Sequence, residues 1–114
     1  MTFCYSINDK HASKFLSFLA LGVLTALGKN LISVDEAEGY IFKPYIPRLL
    51  EGIGSPEELL EIINLGCELE DVETLYPENL HAEIERLISK TLSVISRSAD
   101  FGRLVEKEIK IIND

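Results

Sequence analysis

From Leu80 to Ile95, apolar positions return every three or four residues. Leu80, Ile84, Leu87, Ile88, Thr91, Leu92 and Ile95 fall on one stripe, with Glu78, Ala82, Glu85, Arg86 and Ser89 opposite. That period predicts an amphipathic helix from Glu78 to about Ser96. A shorter piece precedes it: Leu69, Val72, Leu75 and Tyr76 share one arc of a helix over 68–76, and Pro77 breaks it. Ala12 to Leu27 is apolar nearly all round, which predicts a central helix, with Gly28 and Asn30 suited to its C-terminal cap. Two capping boxes mark further starts. Ser33–Glu36 (SVDE) opens a helix to about Phe42, stopped by Pro44. Ser55–Glu58 (SPEE), with Pro56 at the first helical position, opens one to about Leu65, ended by Gly66. Between them IPRLLE predicts a brief helix closing at Gly52.

The two ends read differently. TFCYSI, Thr2 to Ile7, is short and β-prone, an extended arm or an edge strand. Residues 101–112 fit another helix, although EIKII also suits a strand pairing with TFCYSI. The predicted fold class is all-α: a compact single-domain helical bundle of about five to six helices over 1–114, with a short extended N-terminal segment as an option. Loops are short, and no linker divides the chain.

Composition agrees with a folded domain: 114 residues with 46% hydrophobic content can bury a core. Cys4 and Cys67 are too few for a disulfide scaffold and form no C-x-x-C pair, so reduced thiols in a cytoplasmic protein are expected. The apolar run Phe15 to Gly28 is shorter than the roughly 20 residues that span a bilayer. Asp9 lies where a secretion signal would carry basic residues. The run is read as a buried core helix, and no membrane is expected as a partner.

Charge changes the picture more. From Leu49 to Glu85 there are 11 Asp or Glu and no Lys or Arg. With a net charge of −8, the remainder carries +3. Like charges three or four apart on a helix, such as Glu57 with Glu61, Glu68 with Asp71 and Glu70 with Glu73, cost a few tenths of a kcal/mol each. Two readings stand. One is a solvated face, or one paired internally with Arg48, Arg86, Lys90 and Arg97. The other is a surface for a basic partner, comprising Glu57, Glu61, Glu68, Glu70, Asp71, Glu73, Glu78 and Glu85. Nucleic acid is a poor partner for such a chain. Tyr40, Tyr45 and Tyr76 are candidate aromatic anchors, the alternative being that such rings pack helix ends onto the core.

Catalytic signatures are not found. There is no Gly-rich phosphate loop and no nucleophile elbow. His81 and Glu85, four apart, fall short of the three or four ligands of a zinc site. His11 with either cysteine would make a nucleophile–base couple only if folding joined them. No catalytic residue, cofactor or metal is expected.

Two passages, LGVLTALGKNLISVDEAEGYIFKPY (Leu21 to Tyr45) and LGCELEDVETLYPENL (Leu65 to Leu80), resemble a family of small bacterial proteins of unknown function. Small acidic helical proteins of this kind are similar to the immunity proteins of contact-dependent growth inhibition systems, which bind and block a delivered toxin, often a nuclease. The resemblance implies a cytoplasmic, non-enzymatic inhibitor that binds a cognate basic toxin 1:1 and covers its active cleft. The alternative expectation is a structural or regulatory interaction subunit of a bacterial assembly, using an apolar groove.

Overall fold

The computed structural model describes residues 1–97 and 108–113. Strand β1 (Thr2–Ser6) leads into helix α1 (Asp9–Gly28), then α2 (Val34–Tyr40), α3 (Tyr45–Gly52), α4 (Glu57–Cys67) and α5 (Leu69–Leu75). A 3-10 turn (Pro77–Asn79) enters α6 (Leu80–Ser96), and strand β2 (Glu108–Ile112) follows. The described residues are 71% helical. The bundle rests on four helices of eight residues or more, α1, α3, α4 and α6. The expectation of five to six bundle helices is corrected accordingly: α2 and α5 have seven residues each and act as short braces.

Helix α1 starts three residues earlier than its apolar pattern suggests, because the Asn8 side chain accepts a hydrogen bond from the Lys10 N–H at 3.1 Å. Its other end is a Schellman motif. Asn30 takes a left-handed φ of 59°, the Leu31 N–H donates to the Ala26 carbonyl at 2.9 Å, and the Asn30 N–H to that of Leu27 at 3.1 Å. A β-branched residue resists that conformation. Asn30→Val is expected to lower stability by about 1–2 kcal/mol, whereas Asn30→Gly preserves or slightly raises it, as thermal denaturation would show.

Ser33 caps α2, its hydroxyl accepting from the Glu36 N–H at 3.1 Å. The second capping box is not made. Pro56 is extended (ψ 141°) and stands before α4 rather than inside it, and the Ser55 hydroxyl instead hydrogen-bonds that of Ser13 on α1 at 2.6 Å. Nor does Gly66 end α4, which continues to Cys67; Gly66 is buried against Phe42.

The core lies between α1, α4 and α6, with Leu24, Leu59, Ile63, Leu69 and Leu87 fully enclosed. Ser17 and Thr91 are buried with them and donate to the carbonyls one turn back, those of Ser13 and Leu87, at 2.7 Å. On α6, Ile84, Leu87, Thr91 and Val94 point inward while Leu92 is exposed, so the buried stripe turns away from Leu92 and onto Val94. On α5 only Leu69 is buried; Leu75 and Tyr76, expected in the core arc, face solvent. Helix α2, of equal length, buries both Val34 and Ala37, so it is the placement of α5 at the surface and not its length that leaves Leu75 and Tyr76 out.

The strand option for the C-terminal end is the one taken. β1 and β2 pair antiparallel, with Phe3 opposite Ile111 and Tyr5 opposite Ile109. The helix expected over 101–112 is thus corrected at 108–112, and its first part lies outside the described residues. The Tyr5 ring stacks on Phe15 of α1 with centroids 4.8 Å apart, tying the ribbon to the bundle.

Candidate functional site: an acidic face on α2 and α5

Short amphipathic helices must turn their charged residues outward. All eight sequence-predicted carboxylates, Glu57, Glu61, Glu68, Glu70, Asp71, Glu73, Glu78 and Glu85, are exposed. Folding nevertheless divides them. On α4, Glu61 pairs with Lys90 at 3.2 Å and its neighbour Glu58 approaches Arg97 at 3.8 Å, so α6 supplies cations to that helix. Arg86 is held by Glu83 at 2.6 Å, one turn away, which leaves its guanidinium still more firmly protonated. Of the cations expected to pair internally, Arg48 alone makes no ion pair among the described residues.

The carboxylates of α5 have no such partners among the described residues. They meet more of their own kind. Glu38 on α2 shares a hydrogen bond with Glu70, and Asp35 and Asp71 add their fields. Partial burial, the Glu70 contact and these neighbouring charges together push the Glu38 carboxyl above its ordinary value of 4.5. The half-buried Cys67 thiol at the end of α4 is pushed up too, by burial first and then by Glu38 and Glu68. It therefore keeps its proton near neutral pH, the opposite of an activated nucleophile.

Because Glu38 binds its proton more tightly folded than unfolded, its contribution is fully present below about pH 4.5 and is lost as pH rises through the raised value. Glu38→Gln cannot ionise and can still donate to Glu70. It is expected to raise the thermal midpoint at pH 7 and to leave it nearly unchanged at pH 4, which a pair of melting curves would reveal.

Beside this cluster the start of α2, the α1–α2 loop, α5 and the start of α6 enclose a cleft of about 510 Å³. Its floor is apolar, with Leu27, Ile32, Val34 and Ile84, while Glu36, Glu73 and His81 edge it. His81 stands 3.9 Å from Glu85, and both are well exposed. No three His, Cys, Asp or Glu side chains converge as a metal site among the described residues. The candidate anchors Tyr40, Tyr45 and Tyr76 are each at least half exposed, while Phe42 of the same aromatic cluster is buried.

Asp35, Glu36 and Glu38 lie outside the acidic run from Leu49 to Glu85. They precede it in sequence and join it only because α2 packs on α5. Their spacing, Asp35 and Glu38 on one helical face, is the one hint that the sequence offers. Glu57 and Glu61, which belong to the run, lie on α4 around a separate shallow depression with Glu51 and Leu60.

Residues 8–110 match the family model described as "Protein of unknown function (DUF3969)". The match takes in most of the chain, which belongs to that family. No curated protein and no solved structure matches the chain.

Proposed function

We propose that this member of a family of unknown function is a non-enzymatic inhibitor. In this reading it binds a basic bacterial toxin, a nuclease by preference, 1:1 in the cytoplasm and lays its acidic α2–α5 face over the toxin's phosphate-binding cleft. One observation carries the proposal. Carboxylates from two helices are held together without ion-pair partners among the described residues, although Glu58 and Glu61 on α4 have been given theirs. Burial first, then the Glu70 contact and the neighbouring carboxylates, raise the Glu38 titration; the like-charge share of this is a standing local cost that a basic partner would offset. Nuclease clefts are positive because they hold phosphates, so carboxylates at phosphate-like positions steer and orient the complex.

The test is protection. If a large exported protein is encoded beside this chain, its C-terminal domain is expressed in cells with and without the chain. Survival with the wild type, loss of survival with the combined Glu70→Lys, Asp71→Lys and Glu73→Lys variant, and a 1:1 complex in light scattering are the expected results. Survival that does not depend on this chain, or on those three residues, would sink the proposal. A second reading, an interaction subunit of a bacterial assembly, is favoured by the exposed apolar groove beside α1; absence of a toxin gene next door would support it.

A further inference from the structure

Helix α1 is 20 residues long and apolar enough by length and composition to cross a membrane, yet only 33% of its most apolar window is buried. The side that the described residues leave uncovered is a groove of about 300 Å³ between α1 and α2, with Phe18, Ile32 and Tyr40 as walls and Gly22 and Ala26 along its base. Phe18 is 49% and Tyr40 59% exposed, rings that a chain without a partner gains nothing by presenting. Phe18, Gly22 and Ala26 succeed each other at four-residue steps, so the groove runs along α1 for about 12 Å, two helical turns.

Ile32 lines both this groove and the acidic cleft, so the two adjoin at the α1–α2 loop, where Leu31 stands 72% exposed. One occupant satisfies both. An amphipathic helix has an apolar stripe of the same period as the groove's base. If that helix carries Lys or Arg beyond the stripe, their cations reach Glu36 and Glu73, which have no ion-pair partner among the described residues. Glu36 and Glu73 line the cleft together with His81, and no Lys or Arg among the described residues does so. An anionic bilayer would be repelled by the same carboxylates, which sets this surface apart from a membrane-binding face.

We propose that the groove between α1 and α2, together with the Glu36–Glu73 cleft at its end, docks an amphipathic helix of the basic partner, apolar stripe in the groove and cationic end in the cleft. This rests on the reading that the partner is a basic protein, and it names the element of that partner which is recognised.

The probes are a synthetic Leu/Lys amphipathic helix of about four turns, a Leu/Glu counterpart, a Ser/Lys peptide of equal charge and vesicles of zwitterionic or anionic lipid. Added to the isotope-labelled 114-residue chain, the Leu/Lys helix is expected to shift the amide resonances of Gly22, Ala26, Glu36 and Glu73. The Leu/Glu helix and both kinds of vesicle are expected to leave them unmoved. A Cβ on Gly22 meets no atom within 4 Å, so Gly22→Gln fills the groove without disturbing the core and improves the helix. That variant, and Phe18→Ser, should each weaken Leu/Lys binding about tenfold or more.

Equal binding by the Ser/Lys peptide, shifts confined to α5, or affinity unchanged in Gly22→Gln would overturn the groove while leaving the acidic-face reading intact. Vesicle binding abolished by Gly22→Gln would overturn it in favour of a lipid surface. Conversely, protection in cells that survives Glu70→Lys combined with Asp71→Lys but fails in Gly22→Gln and in Glu73→Lys would retain the groove with its cleft and remove the α2–α5 face.

Discussion

Gly66→Ala is expected to destabilise the protein by about 2–4 kcal/mol, although alanine is intrinsically the better helix former by about 1 kcal/mol. A Cβ at position 66 would overlap Phe42 Cδ1 and Cε1 and stand 2.7 Å from Cγ. Phe42 is only 2% exposed, so its ring has nowhere to retreat except out of the core. Expelling it approaches the cost of deleting a buried phenylalanine, about 3–5 kcal/mol. Urea denaturation would measure the loss. Phe42→Leu supplies the internal check: if the clash is the cause, Gly66→Ala should cost clearly less in that background. Gly39→Ala, where an added Cβ meets nothing within 4 Å, should instead be neutral or stabilising. A Gly66→Ala protein as stable as the wild type would mean that the α4–Phe42 contact is looser than the structure has it.

The second large effect concerns binding rather than folding. Reversing Glu70, Asp71 and Glu73 to lysine turns three attractions to a basic cleft into repulsions. At about 1 kcal/mol or slightly more per reversal, the complex should lose about 3–4 kcal/mol, or 100- to 1,000-fold in affinity. Exposure of all three side chains keeps the cost to folding within about 1 kcal/mol. Part of that cost is offset, because Glu70→Lys sets a cation against Glu38 where a like charge stood. The loss of affinity should shrink as salt is raised, because exposed charges are screened over about 8 Å at physiological ionic strength. Calorimetric titration of the two proteins at low and high salt would show it, and a loss that ignores salt would point to altered shape instead of charge.

Much of the helical plan is open to inspection in one dimension. The α6 stripe of Ile84, Leu87 and Thr91, the Ser33 cap and the Asn30 turn each depend on residues within a few positions of one another. Errors arise where a local signal meets a distant competitor. Ser55 has the spacing of a cap, but the Ser13 hydroxyl on α1 takes its hydrogen bond. Gly66 looks like a helix stop and is instead a point of close approach, legible only once Phe42 is placed against it. Leu75 and Tyr76 lie on the apolar arc of α5, yet no neighbour among the described residues covers them.

The same division runs through the candidate site. Sequence alone determined that a long stretch is acidic, that its carboxylates ride on short helices, and that α1 is apolar enough to need cover. Tertiary structure decided which carboxylates acquire cations, with Lys90 and Arg97 turned toward α4, and that Asp35 and Glu38 stand against Glu70 and Asp71. It also decided that β1 and β2 pair as strands and that, among the described residues, one side of α1 stays open beside Tyr40. The physical reason is range. Helix period, caps and charge runs act over a turn or two of chain, whereas a groove or a charged face is made by side chains brought together from separate helices, whose fit no local pattern encodes.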